Sequence, residues 1–132
     1  MSANDLEISM SILISEAKKK PTGWIGVDLD GTLAEHKPGH FDPGSIGKPI
    51  PTMVSMVKAA IKDGWEVKIF TARASDGKDT EFISDWTEEH IGTRLPVTCE
   101  KDPRCTEIWD DRAVKVKRNK GILLNTSPIT GK

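Results

Sequence analysis

Cysteine is scarce in this chain, and the placement of its two copies narrows their use. Cys99 and Cys105 are too far apart for a Cys-x-x-Cys clip, and no second pair exists to complete a zinc site. They read as reduced thiols, with Cys99 ending a buried strand. Long apolar runs are also missing, so no segment is expected to span a bilayer. Residues 1–20 lack the order of a signal peptide, basic head and then apolar core, because Lys18, Lys19 and Lys20 come last. The expectation is a cytoplasmic protein with no membrane partner. Neither sign of charge dominates: 19 basic residues face 20 acidic ones, so no global field draws nucleic acid or membrane. The Gly-x-Gly-x-x-Gly and Gly-x-x-x-x-Gly-Lys-Ser/Thr signatures are absent, which sets aside a dinucleotide fold and a P-loop. There is no internal repeat, low-complexity tract or linker.

What is present suits one globular domain over residues 1–132, with 36% apolar and 30% charged residues and length enough for its own core. In residues 4–19, Leu6, Met10, Leu13, Ile14 and Ala17 fall at helical spacing, so this N-terminal stretch reads as an amphipathic helix ended by Pro21. Residues 33–48 carry Pro38, Gly39, Pro43, Gly44 and Gly47, which break any regular element and leave a loop or short irregular hairpin. A helix is expected over 49–63, started by Pro51 and stopped by Gly64. Residues 65–70 then read as a strand. A second helix runs over 80–91, with Asp79 or Thr80 as its cap. A short strand is expected over 95–99 and another leading into Asp110. Residues 121–124 would add an edge strand, with 125–132 a frayed tail. Alternation of strands and helices implies an α/β fold with a mainly parallel sheet covered by helices on both faces.

The densest signal is Trp24-Ile25-Gly26-Val27-Asp28-Leu29-Asp30-Gly31-Thr32. Ile25, Val27 and Leu29 form a buried strand, and Gly31 permits a turn that a residue with a Cβ would resist. Two carboxylates, Asp28 and Asp30, are left at its end, and they repel unless a cation or a shared proton lies between them. A second apolar strand ends in the adjacent acids Asp110-Asp111, which again need a positive partner. Ligands of open parallel sheets gather beyond the carboxyl ends of the strands. Asp28, Thr71, Lys101 and Asp110 all fall at such ends.

Asp28-Leu29-Asp30-Gly31-Thr32 resembles the first motif of the haloacid dehalogenase-like (HAD) superfamily of phosphotransferases. Thr71-Ala72-Arg73 resembles its second motif, Lys101 its third, with Lys78 a weaker candidate, and Ile108-Trp109-Asp110-Asp111-Arg112-Ala113 its fourth. The resemblance implies a three-layer Rossmann-like fold and a magnesium-dependent phosphomonoester hydrolase working through an aspartyl-phosphate. Asp28 is the implied nucleophile and Asp30 the acid and base. Thr71, Ala72, Arg73 and the amides near Leu29 are the implied phosphate-binding groups, and Lys101 the cation between nucleophile and phosphate. The implied Mg2+ ligands are Asp28, Asp110, the backbone carbonyl of Asp30, and Asp111 through water or by orienting its neighbours. The paired acids favour a phosphatase over dehalogenase-type members, which lack the second. Both intervals that hold a cap domain in larger members are short here, so the expected type is small and capless, with 33–48 as a flap. Such an open site is closed by a bulky substrate or by a neighbouring subunit in a homo-oligomer. His36, Lys37, His40 and Phe41 in the flap are the residues expected to select a phosphorylated small molecule. The alternatives are a nucleic-acid end phosphatase, for which the basic run Lys115, Lys117, Arg118 and Lys120 gives little support, and a non-catalytic binder of phosphorylated ligands.

Overall fold

The structure is a computed structural model that describes residues 7, 21–37, 39 and 42–125. The expected N-terminal helix, the flap residues His40 and Phe41, and the tail beyond 125 lie outside the described residues. Strand β1 (Trp24–Val27) is followed by helix α1 (Pro51–Lys62) and strand β2 (Glu66–Phe70). A 3-10 segment, Ala72–Gly77, precedes helix α2 (Glu81–Ile91). Then come the two-residue β3 (Val97–Thr98), β4 (Cys105–Trp109), β5 (Val116–Lys117) and β6 (Ile122–Leu123).

The four-stranded sheet has the order β3-β2-β1-β4, and all its pairings are parallel. The α/β class expected from the alternation is what forms. Strand parity sorts its two faces. Ile25 pairs with Val67 and Val27 with Ile69, and all four are buried in one core with Val57 and Ala60 of α1 and Ile83, Trp86 and Ile91 of α2. Both of these helices therefore pack on the same face of the sheet. Burial of each such aliphatic side chain contributes about 1.5–3 kcal/mol, which makes this face the main source of stability.

The other face carries Trp24, Lys68 and Phe70 over Gly26. The Trp24 and Phe70 rings lie 6.3 Å apart, and Lys68 Nζ sits 4.7 Å from the Trp24 ring. A Cβ at Gly26 would come within 2.9 Å of the Trp24 ring, so glycine makes room for the indole. Its Nε1–H donates to Asp102 Oδ1 at 2.9 Å. That bond fixes the connection from β3 to β4, which is made by residues 99–104 with no helix of its own.

Two local expectations change. The strand expected over 95–99 contracts to Val97–Thr98, and Cys99 is exposed rather than ending a buried strand. The 121–124 segment does not extend the main sheet. Left-handed Asn119 and Gly121 (φ 62° and 67°) reverse the chain, so β6 pairs antiparallel with β5 in a separate hairpin. Helix punctuation is as expected: Pro51 opens α1, and Gly92 at φ 90° closes α2. The Asp79 carboxylate, rather than the Thr80 hydroxyl, accepts from the amide of Glu81.

Candidate active site

Strand β1 stops at Val27 because the chain folds tightly over the next seven residues. The Leu29 carbonyl accepts from the amides of Leu33 and Ala34, at 3.0 and 2.9 Å, and Gly31 N–H donates to the Ala34 carbonyl. Leu29 and Leu33 are fully buried, which pins the turn to the core. Gly31 has φ 89°, and a Cβ there would lie 2.7 Å from Asp111 Oδ2. Its identity is therefore required by conformation and by space alike. The flap leaves this turn and returns to it: Glu35 N–H donates to the Lys48 carbonyl and Ile50 N–H to the Leu33 carbonyl.

At the carboxyl ends of β1 and β4, carboxylate oxygens of Asp28, Asp110 and Asp111 lie within 4.8 Å of one another. Asp28 N–H donates to the Trp109 carbonyl, so the ladder itself holds the two acidic stretches side by side. Thr32 Oγ1 sits between them, 3.4 Å from Asp28 Oδ2 and 3.3 Å from Asp111 Oδ1. The Arg112 amide donates to Asp110 Oδ1 at 2.6 Å. Burial raises the Asp28 carboxyl most, a hydrogen bond with Asp111 next, then the charges of Asp110 and Asp111, to about 7 from its usual 3.8. The Leu29 amide pulls the other way. Such a cluster is stabilised by a proton or a cation placed among its oxygens. All its donors are hard oxygens, the set that suits Mg2+, so the residues present fit the expected ion.

Asp30 is not part of that cluster. Its two carboxylate oxygens are gripped by Arg73, with Nε to Oδ2 and Nη2 to Oδ1 both at 2.8 Å. The Arg73 side chain is only 8% exposed. Its Nη1 also donates to the carbonyls of Asp42 and Pro43, at 3.3 and 3.4 Å, which ties the flap to the site. Arg73 is thus a buried fork rather than a solvated loop residue, and it grips both carboxyl oxygens of Asp30.

Thr71 is buried and ends β2. Its Oγ1 accepts from the Arg73 amide at 3.2 Å, so the hydroxyl opens the 3-10 turn and orients the fork. Asp28, Asp30, Thr71, Ala72, Arg73, Asp110 and Asp111 all line one cavity of about 490 Å³. Its wall is completed by His36, Phe70, Lys78, Cys99 and Arg112. Lys78, the weaker candidate for the cation, stands in the wall, and Lys101 is not among the lining residues. After Thr98 the chain turns back across the sheet toward Cys105, at the amino end of β4. Lys101 goes with it, close enough to act on the Cys105 thiol. A second cavity of about 270 Å³ lies under the flap, sharing Asp30, His36 and Arg73 with the first and adding Lys37 and Lys48. Arg112 and Thr32 are site residues to which the sequence reading gave no role, although each stands within a quoted motif.

Comparisons of the chain with protein-family models, with curated proteins and with solved structures find no match. Among the described residues no helix is long and apolar enough to cross a membrane.

Proposed function

We propose that this protein is a magnesium-dependent phosphomonoester hydrolase of the HAD type, acting in the cytoplasm. The observation that carries the reading is the convergence of Asp28, from the first acidic strand end, with Asp110 and Asp111 from the last. Thr71 and Arg73 lie in the same cavity wall. A three-layer Rossmann-like arrangement belongs to the same proposal.

Asp28, Asp110 and Asp111 are the residues that would hold Mg2+, with the Asp30 carbonyl added by the family resemblance. Bound there, the ion supplies positive charge that offsets the acids and the phosphate dianion. Asp28 is the nucleophile: its carboxylate oxygen bonds to phosphorus while the phosphorus–ester oxygen bond breaks. The departing alkoxide takes a proton from Asp30, giving the free alcohol and an aspartyl-phosphate. Asp30 then takes a proton from water, whose oxygen displaces the Asp28 carboxylate to release inorganic phosphate. To serve as the acid, Asp30 must first leave the Arg73 fork and take up a proton from solvent. An incoming phosphate gives that fork an alternative dianionic partner of matching geometry. The Thr71 hydroxyl, the Leu29 and Ala72 amides and Lys78 would hold the remaining phosphoryl oxygens.

Phosphate release from an aryl phosphate tests this directly. Turnover is expected with Mg2+ and its loss with chelator. Asp28→Asn should abolish turnover while retaining the fold. Undiminished turnover by Asp28→Asn would refute the nucleophile assignment. Turnover equal in chelator would refute the metal.

A further inference from the structure

The basic run that reads in sequence as a solvated surface has a specific place in the structure. Arg112 lines the wall of the main cavity. Lys115 follows three residues later, within roughly 11 Å of extended chain. Arg112, Lys115, Lys117, Arg118 and Lys120 are all exposed, and no acidic residue occurs anywhere from Arg112 onward. Among the described residues none of the five forms an ion pair, although Arg73, Arg94 and Arg104 do. The last four are carried on the β5–β6 hairpin, whose base is closed by Asn125. Asn125 Oδ1 accepts from the Lys115 amide at 2.6 Å, and Asn125 Nδ2 donates to the Ala113 carbonyl at 3.3 Å. A nearly neutral protein thus carries, directly after a residue of the cavity wall, a run of exposed cations with no acid in sequence beside it.

We infer that the hairpin is a docking track for a polynucleotide whose terminal phosphate enters the cavity, so that backbone phosphates lie along Lys115, Lys117, Arg118 and Lys120. This deepens the hydrolase reading above, and rests on it, by naming the substrate class. A lone small-molecule phosphate is satisfied within the cavity and has no use for four cations outside it. A chain of phosphates does. With no aromatic side chain on the hairpin, contact is through the backbone and independent of base sequence. An anionic bilayer is the other polyanion such charge could meet. The hairpin's apolar residues argue against it, because register puts Val116 opposite Leu123 on one face and Ile122 opposite Lys117 on the other. They form no single apolar face to lie on lipid.

The test compares the full chain with a K115Q/K117Q/R118Q/K120Q variant, in Mg2+. Two substrates are used: an aryl phosphate, and a short single-stranded oligonucleotide phosphorylated at either end in turn. The variant should keep its melting temperature and its aryl phosphatase activity. It should lose about tenfold or more in kcat/KM on the oligonucleotide at low salt. The wild-type salt dependence should be steeper by about 3 in log–log slope, from about 0.7 per phosphate contact. Equal activity of variant and wild type on the oligonucleotide would overturn the proposal. So would hairpin-dependent binding to phosphatidylserine vesicles with oligonucleotide turnover unchanged. If neither substrate is hydrolysed, the hydrolase reading fails by itself. The track is then read from fluorescence anisotropy of the labelled oligonucleotide, where equal affinity for variant and wild type would overturn it.

Discussion

Replacing Asp28, the proposed nucleophile, should make the metal-free protein more stable. Asp28 sits half-buried among like charges that raise its carboxyl from 3.8 to about 7. A carboxyl raised in the folded state binds its proton more tightly there than in the unfolded chain. Its contribution is therefore fully favourable below about pH 4 and is lost as pH rises through about 7. The rise from 3.8 to about 7 corresponds to a ceiling of about 4 kcal/mol. Partial solvent access screens this to about 1–2 kcal/mol. Asn cannot ionise and has the shape of the protonated acid, so Asp28→Asn removes the penalty at high pH and leaves low pH unchanged. For a domain of this size the expected gain is about 3–8 °C in Tm at pH 8 in chelator, closing to nothing near pH 4. Added Mg2+ should reverse the order, because the ion stabilises wild type by mass action and finds one carboxylate fewer in the variant. Melting curves of both proteins across pH, with chelator and with Mg2+, read all of this. A variant that is less stable than wild type at pH 8 in chelator would refute the charge-crowding argument.

Gly31→Ala should cost more than ordinary backbone strain, because its Cβ would press on the Asp111 carboxylate. A loss of about 2 kcal/mol in chemical denaturation together with a drop in Mg2+ affinity by titration calorimetry is expected. Arg73→Ala should free the flap and leave Asp30 unpaired, costing about 2–3 kcal/mol. A double-mutant cycle with Asp30→Ala should return a coupling of about 1–3 kcal/mol, and limited proteolysis should newly cut within 36–45. Lys78→Ala is expected to lower kcat/KM at least about a hundredfold on an aryl phosphate, whereas Lys101→Ala should stay within about twofold. The reverse order in steady-state kinetics would restore Lys101 as the site cation.

The convergence of Asp28, Asp110 and Asp111 was legible in the sequence because each acid directly follows an apolar strand, and parallel strands deliver their carboxyl ends to one edge. Thr71 was legible for the same reason. For Lys101 the same rule says less, because it assumes that a residue after a strand stays at the sheet's carboxyl end. Residues 99–104 instead run straight back to the start of β4, held by the bond from Trp24 to Asp102, a contact between residues 78 apart. The Asp30–Arg73 fork spans 43 residues, and no periodicity or spacing encodes such a pairing. The β5–β6 hairpin was half-legible: Gly121 marked a turn, but the strand opposite it lies inside the basic run Lys115–Lys120, which composition alone reads as surface. Helices on both faces followed from alternation, yet α1 and α2 share one face. Both are right-handed crossovers leading away from β1 in the same direction, and the return to β4 brings no helix with it.

The charges on the cavity wall explain why one site needs its parts in this arrangement. Ionised, Asp28, Asp30, Asp110 and Asp111 outweigh Arg73, Lys78 and Arg112, so the bare wall repels a phosphate dianion. A divalent cation among the three clustered acids reverses that balance, turning the same wall attractive. Keeping Asp30 in the Arg73 fork sharpens the separation. One acid is neutralised by a residue of the chain and kept away from the cluster, while the other three are left short of positive charge. The crowding that destabilises the bare fold is thereby concentrated where an ion can relieve it. On the proposed reading, affinity for the metal and the instability of Asp28 are two measurements of one electrostatic deficit. Perturbations that reduce one should reduce the other in proportion.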